Sequence, residues 1–252
     1  MNKYAAAAAL LLSGCITTEQ PVVKGVDMNV IYPTVNERVV DNKYPVIVIS
    51  HGAGGLGKNY FKWASYFRSL GFATLVIDHH TARGYYGKTF LSSGRNPTTE
   101  KGLDIRQADT PAVFTKLNSE PRVDKKRIWL AGWSAGAGFV YDGIGREGVL
   151  GGILFYPYTY ACRARIVDNK DKPVKVMIGD KDKGLHLCWK QYMDTEKFDF
   201  SIYDNTWHLF DLEGMKKTVK EYTNFRQVNE FNPKALKQSI SDVKEFLQKE
   251  TP

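Results

Sequence analysis

The sequence predicts an α/β fold in one domain, a mostly parallel twisted sheet with helices on both faces. The β-branched run at residues 45–50 (Pro-Val-Ile-Val-Ile-Ser) and the apolar run at 128–131 (Ile-Trp-Leu-Ala) have the continuous apolar character of strands buried on both sides. Helical patterns alternate with these runs, the order expected of parallel strands joined by crossover helices. The chain has 252 residues, 43% of them hydrophobic, enough to bury one sizeable core, and no internal repeat divides it.

Element by element, a first strand is expected over residues 26–32 and a second over 45–50, running into His51-Gly52-Ala53-Gly54-Gly55. Tyr60, Trp63, Ala64 and Phe67 have the i, i+3, i+4, i+7 spacing of one buried helix face, and Gly71 ends that helix. A strand at 72–77 leads to His79 and His80. A segment around Arg106 reads as helical, with Pro111 expected to kink or restart it. Further strands are expected at 128–131, 150–155, 172–178 and 198–203, the last alternating Phe198, Phe200 and Ile202 with Asp199 and Ser201. A helix carrying Lys216, Lys217 and Lys220 as a solvated face is expected next. Asn232 as cap and Pro233 at the first position open the final helix, which buries Leu236, Ile240, Val243 and Leu247.

The chemistry concentrates where strands end. Gly132-Trp133-Ser134-Ala135-Gly136 follows the strand at 128–131, and a serine on a sharp strand-to-helix turn needs small residues two before and two after it. The glycine-rich turn at 51–55 can point backbone N–H groups inward, as an oxyanion hole requires. Ala135 and Ala53 are the expected donors. The strand at 172–178 runs into Gly179-Asp180-Lys181-Asp182, and the strand at 198–203 is followed closely by His208. The order Ser134, Asp182, His208 suits a histidine that takes the serine proton while a carboxylate fixes its tautomer. Asp180 is the rival acid; Asp182 is preferred because it lies farther from the strand, where its side chain can turn toward His208.

From about Tyr44 to Phe210 the chain resembles the α/β-hydrolase superfamily, and within it the dienelactone hydrolase family. The matching blocks are Ser50 to Gly55, Arg106 with Asp109, Val123-Asp124 to Ser134, Gly179 to Asp182, and Trp207-His208-Leu209-Phe210. The resemblance implies an α/β-hydrolase fold without a separate lid domain, an acid three residues past Gly179, and hydrolase chemistry. Dienelactone hydrolases proper use a cysteine nucleophile where this chain has Ser134, which favours a serine esterase over a lactonase. The expected activity is cleavage of a small-molecule carboxylic ester through an acyl-enzyme. Thioesterase, peptidase or acyltransferase chemistry on the same triad is the alternative, as is a non-catalytic envelope binding protein.

The long connection at 80–101 is the expected pocket rim, with Arg83, Tyr85, Tyr86, Phe90 and Arg95. Trp133, Tyr156 and Tyr158 could add aromatic walls. No cofactor is expected. No metal-ligand spacing joins the histidines, and no phosphate loop, dinucleotide fingerprint or nucleic-acid module is present. The net charge of +8 fits attraction to anionic esters or envelope polymers as well as simple solubility.

The amino terminus resembles a bacterial lipoprotein signal: Lys3, an apolar stretch at 5–12 too short to span a bilayer, then Leu12-Ser13-Gly14-Cys15. This implies a signal peptide at 1–14, lipidation of Cys15, a tether at 15–25 and a catalytic domain at 26–252. Ile16 in place of the aspartate associated with inner-membrane retention suggests an outer-membrane anchor in the bacterial envelope. Lipidating Cys15 leaves Cys162 and Cys188, which are expected to form a disulfide at the active-site edge of the sheet.

Overall fold

The structure, a computed structural model, describes residues 28–34, 38–84, 105–158, 172–196, 198–221 and 226–251. In chain order these form β1 (Val30–Ile31), β2 (Tyr44–Ser50), α1 (Lys58–Ser69), β3 (Ala73–Ile77), α2 (Ile105–Ser119), β4 (Val123–Trp133) and α3 (Ala137–Gly143). There follow β5 (Val149–Phe155), β6 (Val174–Gly179), α4 (Lys183–Leu187), β7 (Asp199–Tyr203), the pair β8 (Thr218–Glu221) and β9 (Arg226–Asn229), and α5 (Pro233–Glu250).

Seven strands form one sheet in the order β1-β3-β2-β4-β5-β6-β7. Only β1 runs antiparallel, against β3; the other six are parallel. The expected α/β-hydrolase architecture is therefore what the chain adopts. Parallel strands need cover on both faces, and β2 and β6 are buried along their whole length. Each large side chain so removed from water contributes about 1.5–3 kcal/mol. From β2 the chain crosses to β3 on one side, then returns to β4 and continues outward on the other. A crevice opens at such a reversal, outside the carboxyl ends of the strands. Here it lies between β2 and β4, paired at Ser50 and Gly132, so the turn at 51–55 and Ser134 flank the crevice.

Four expectations change. The first strand is short, with only Val30 and Ile31 pairing to β3 among the described residues. Pro111 does not break α2, which runs unbroken from Ile105 to Ser119. Its ring stands on the solvent side while Arg106, Thr110, Val113, Phe114 and Leu117 bury the opposite face, and that packing outweighs a lost backbone bond worth about 3 kcal/mol. The described residues after His208 hold an antiparallel strand pair, not a helix: Thr218 pairs with Asn229 and Glu221 with Arg226. β-branched Thr218 and Val219 suit a strand, and His208 bridges to Asn229, so the strand pair backs the histidine loop. The final helix starts as expected, the Asn232 side chain accepting from the N–H groups of Lys234 and Ala235, but its buried face is Ala235, Ser239, Val243, Phe246 and Leu247, with Leu236 and Ile240 only partly buried.

Candidate active site

Three loops at the carboxyl edge of the sheet deliver three side chains to one point. Ser134 follows β4 directly and has φ of 50°, a left-handed conformation uncommon for a residue other than glycine. The turn is possible because the chain passes itself closely. A Cβ at Gly132 would lie 2.6 Å from the Gly136 carbonyl oxygen, and one at Gly136 only 2.2 Å from the Ser50 carbonyl oxygen. Asp182 follows β6 and caps α4, its Oδ1 accepting from the Gly184 N–H at 2.7 Å. Its Oδ2 lies 2.6 Å from His208 Nδ1, and His208 Nε2 lies 3.0 Å from Ser134 Oγ. Nδ1–H therefore donates to the carboxylate, and Nε2 is left to accept from the serine hydroxyl.

The backbone holds the imidazole. The His208 N–H donates to the Val228 carbonyl, and its own carbonyl accepts from the Glu230 N–H. Asp180, the rival acid, serves the backbone instead. Its Oδ1 accepts from the Thr206 N–H at 3.0 Å and so shapes the turn that presents His208. Although burial opposes it, that bond and Lys181 hold the Asp180 carboxyl below the usual range.

The glycine turn lies against Ser134. A Cβ at Gly52 would be 3.4 Å from Ser134 Cβ and 3.2 Å from the Trp133 carbonyl oxygen. Ala53 lies in that turn and Ala135 directly follows the serine. Beneath the turn is a dense polar cluster. His51 Nδ1 donates to the Gly52 carbonyl at 2.7 Å, and His51 Nε2 accepts from the His79 N–H at 3.0 Å. Arg106, fully buried on α2, donates to the carbonyls of His51 and Gly52, each at 3.1 Å. Burial first, then the charges of His79 and Arg106, holds His51 well below the usual histidine value. Burial and Arg106 likewise hold His80 down, at about 4. Among the described residues no group of three or more His, Cys, Asp or Glu side chains could hold a metal ion.

The same cluster contains a second serine–histidine–aspartate chain. Ser50 Oγ lies 2.9 Å from His79 Nε2, and His79 Nδ1 lies 2.7 Å from Asp109 Oδ2. All three residues are 0% exposed. Arg83, an expected rim residue, turns its guanidinium onto Asp109 through both Nη1 and Nη2, and onto the His79 carbonyl. Tyr85, Tyr86, Phe90 and Arg95 lie outside the described residues.

Trp133 is not a pocket wall. It is fully buried, stacks on Phe155 with centroids 4.2 Å apart, and donates from Nε1 to Asp211 Oδ2 at 2.8 Å. Being the last strand residue before the turn, it points into the layer beneath the sheet edge rather than out with Ser134. Tyr156 is buried as well; its ring meets that of His208 with centroids 4.6 Å apart, and its hydroxyl donates to Asp211 Oδ1 at 2.6 Å. Asp211 also accepts from Trp63 Nε1 at 2.9 Å. Three donors to one buried carboxylate thus stitch the serine strand, β5 and the histidine loop together, although burial raises the Asp211 carboxyl above its usual value. Nothing in the sequence pattern marks this residue. Tyr158 reaches the site by its backbone, its N–H donating to the Ser134 carbonyl at 3.2 Å.

A narrow cavity of about 10 Å³ adjoins the histidine, lined in part by Pro157, Tyr158, Asp182, Leu187 and His208. A larger one of about 250 Å³ lies between α1 and α5, away from Ser134, with Trp63, Tyr66, Leu236 and Ile240 among its walls. Cys188 is buried. Cys162 and Cys15 lie outside the described residues. No helix among the described residues is long and apolar enough to cross a membrane.

Sheet order, strained serine turn and the three converging side chains define the class as that of α/β-hydrolases. The chain belongs to the dienelactone hydrolase family, whose description it matches over residues 33–251. It is 25% identical over 171 residues to Hydrolase 4 of Catharanthus roseus, covering 58% of this chain, and it spans about half (52%) of the length of that relative. Among solved structures it resembles Est1E of Butyrivibrio proteoclasticus with ferulic acid bound, at TM-score 0.60 and 16% identity over 90% of this chain and 97% of that one. It also resembles the carboxylesterase Cest-2923 of Lactobacillus plantarum, at TM-score 0.57 and 17% identity over 89% and 97%. The dienelactone hydrolase of Anabaena variabilis gives TM-score 0.57 and 14% identity over 89% and 98%. At these identities the structural likeness is one of fold.

Proposed function

We propose that this hydrolase cleaves carboxylic esters through a serine acyl-enzyme, with Ser134 as nucleophile, His208 as general base and acid, and Asp182 as the carboxylate that orients it. The observation that carries this reading is the continuous path from Ser134 Oγ to His208 Nε2 at 3.0 Å and from His208 Nδ1 to Asp182 at 2.6 Å. Ser134 Oγ attacks the ester carbonyl carbon as its proton passes to Nε2, and the negative charge forms on the carbonyl oxygen. The imidazolium, stabilised by Asp182, returns the proton to the departing alkoxide. Water then enters, gives a proton to Nε2 and attacks the acyl carbon, and the acid leaves as Ser134 regains its proton. The N–H groups of Ala135 and Ala53 receive the oxyanion. Ester-cleaving relatives of the same fold, a carboxylesterase and a structure carrying ferulic acid, support the substrate class.

A fluorophosphonate probe tests the nucleophile. The expected result is labelling of the folded wild type and none of Ser134→Ala; equal labelling of both would overturn the assignment. Turnover of p-nitrophenyl esters of graded chain length, beside lactone and amide substrates, then tests the substrate class.

Cys15 as a lipidated anchor in the bacterial envelope, most consistent with the outer membrane, and a Cys162–Cys188 bridge belong to the same proposal. The sequence around Cys15, and the even pair of cysteines that its lipidation leaves, support them. Metabolic labelling with an alkyne fatty acid should depend on Cys15, and non-reducing peptide mapping should recover the linked pair.

A further inference from the structure

The Gly52–Ala53 peptide group is held from its carbonyl side. The Gly52 oxygen accepts from Arg106 Nη2 at 3.1 Å, from His51 Nδ1 at 2.7 Å and from the Gly55 N–H at 3.2 Å. One of these donors is a fully buried guanidinium, and His51 has no exposed surface either. The preceding peptide is fixed too: the His51 carbonyl accepts from Arg106 Nε at 3.1 Å, and the Gly52 N–H donates to the Tyr60 hydroxyl at 3.0 Å.

In a planar trans peptide the C=O and the next N–H point in opposite directions. With the Gly52 oxygen turned onto Arg106 and His51, the Ala53 N–H faces away from them. Electron density drawn toward three donors, one of them charged, also leaves the amide hydrogen more positive, because hydrogen bonds in a chain polarise one another. The His51 tautomer is determined by its surroundings: a carbonyl at Nδ1 requires a proton there, and an N–H aimed at Nε2 requires a lone pair.

We infer that Arg106 and His51 are positioning residues that orient and polarise the Gly52–Ala53 peptide, so that the Ala53 N–H is the second oxyanion donor. This rests on the acyl-enzyme reading above and names what makes its oxyanion hole strong. A donor aimed at charge that exists only in the transition state contributes to kcat and not to substrate binding.

The test compares Arg106→Lys, which keeps the charge and loses the two-pronged grip, with His51→Asn, whose shorter amide has no acceptor at the Nε2 position that receives the His79 N–H. Each is assayed for kcat and KM on a p-nitrophenyl ester and for Ki of a trifluoromethyl ketone analogue. Removing an oxyanion donor outright costs about 10²- to 10³-fold in kcat, so a weakened and misaimed one should cost about 10- to 100-fold. The expected pattern is that loss in kcat, KM within about twofold, and a rise in Ki matching the fall in kcat/KM. Unchanged kcat in either folded variant, or kcat and KM moving together with no change in Ki, would overturn the inference. Should both variants fail to fold, the wild type still decides: the Ala53 amide proton must move strongly downfield when the ketone adduct forms, and an unmoved resonance overturns it. Ser134-dependent probe labelling of the wild type is run alongside. Its absence would sink the acyl-enzyme reading itself, whereas labelling with an unmoved Ala53 sinks only this one.

Discussion

Ser134–His208–Asp182 and Ser50–His79–Asp109 are two copies of one hydrogen-bonded sequence of side chains in a single protein. Their spacings barely differ: 3.0 and 2.6 Å in the first, 2.9 and 2.7 Å in the second. Their surroundings differ throughout. Ser134 sits at φ of 50° on a turn at the rim, whereas Ser50 ends an extended strand and its carbonyl is pressed against Gly136. The second chain is closed to solvent, and Arg83 occupies its carboxylate. A serine–histidine–aspartate chain is therefore not in itself a catalytic device. Access and a strained turn set the rim chain apart from the one that braces a loop.

The largest expected contrast lies at the two serines. Ser134→Ala should lower kcat on an ester by about 10⁴- to 10⁶-fold, the scale of losing a triad nucleophile. Ser50→Ala should stay within about tenfold in kcat and lose about 1–3 kcal/mol of stability, because His79 Nε2 is left buried without its donor. Turnover and urea unfolding of both variants measure this. Abolished turnover in folded Ser50→Ala, with Ser134→Ala active, would reverse the roles of the two chains.

The carboxylates come next. Asp182→Asn should cost about 10⁴-fold in kcat by favouring the wrong histidine tautomer, with folding little changed. Asp109→Asn should act on stability instead, by about 1–3 kcal/mol, because the partly exposed Arg83 loses its charged partner and buried His79 loses its carboxylate acceptor. Kinetics beside thermal unfolding separate the two outcomes.

What is legible in the sequence follows the same division. The elbow can be read because Gly132, Ser134 and Gly136 lie within five residues and their spacing is a steric demand of one turn. Asp182 and His208 can be read because each follows a strand in chain order. Ser50, His79 and Asp109 come from three elements that look ordinary singly, and only the return of β3 beside β2 brings them together. Trp133 looks like a pocket wall in the sequence for want of one coordinate, the direction of a strand residue relative to the turn that follows. The strand pair at 218–221 and 226–229 escapes the sequence pattern because its lysines suggest a solvated helix face, while its pairing depends on a contact with the distant His208 loop.

The buried chain and the two histidines beside it should also set a pH dependence of stability. Burial and neighbouring positive groups hold His51 and His79 well below the usual 6.5, and His80 at about 4. The folded state thus binds fewer protons than the unfolded state below that value, so unfolding becomes easier as pH falls. Stability is complete above about pH 6.5 and declines toward about pH 4, by up to about 1.4 kcal/mol per pH unit for each histidine. Asp109 and Asp211, raised by burial, work in the opposite direction and so make the decline shallower. Urea midpoints between pH 7.5 and 5.5 should fall steadily in the wild type, and the slope should be shallower in His79→Gln. A flat profile over that interval would mean that these imidazoles charge without cost.

The smallest expected effect asks what holds His208 in place. Asn232 caps α5 and also donates from Nδ2 to Thr206 Oγ1 at 2.8 Å, two residues before the histidine. Asn232→Ala removes both contacts and should cost about 1 kcal/mol, the usual value of a cap. Asn232→Asp keeps the cap, loses the donor to Thr206 and should cost less. If the histidine is held by its own backbone bonds to Val228 and Glu230, kcat should change less than about threefold in both variants. A larger loss in Asn232→Asp, whose helix start is intact, would show that the Thr206 contact aims the imidazole. The rim chain would then depend on distant support as the buried one depends on its neighbours, and the two would differ in access and in the serine's turn rather than in how they are held.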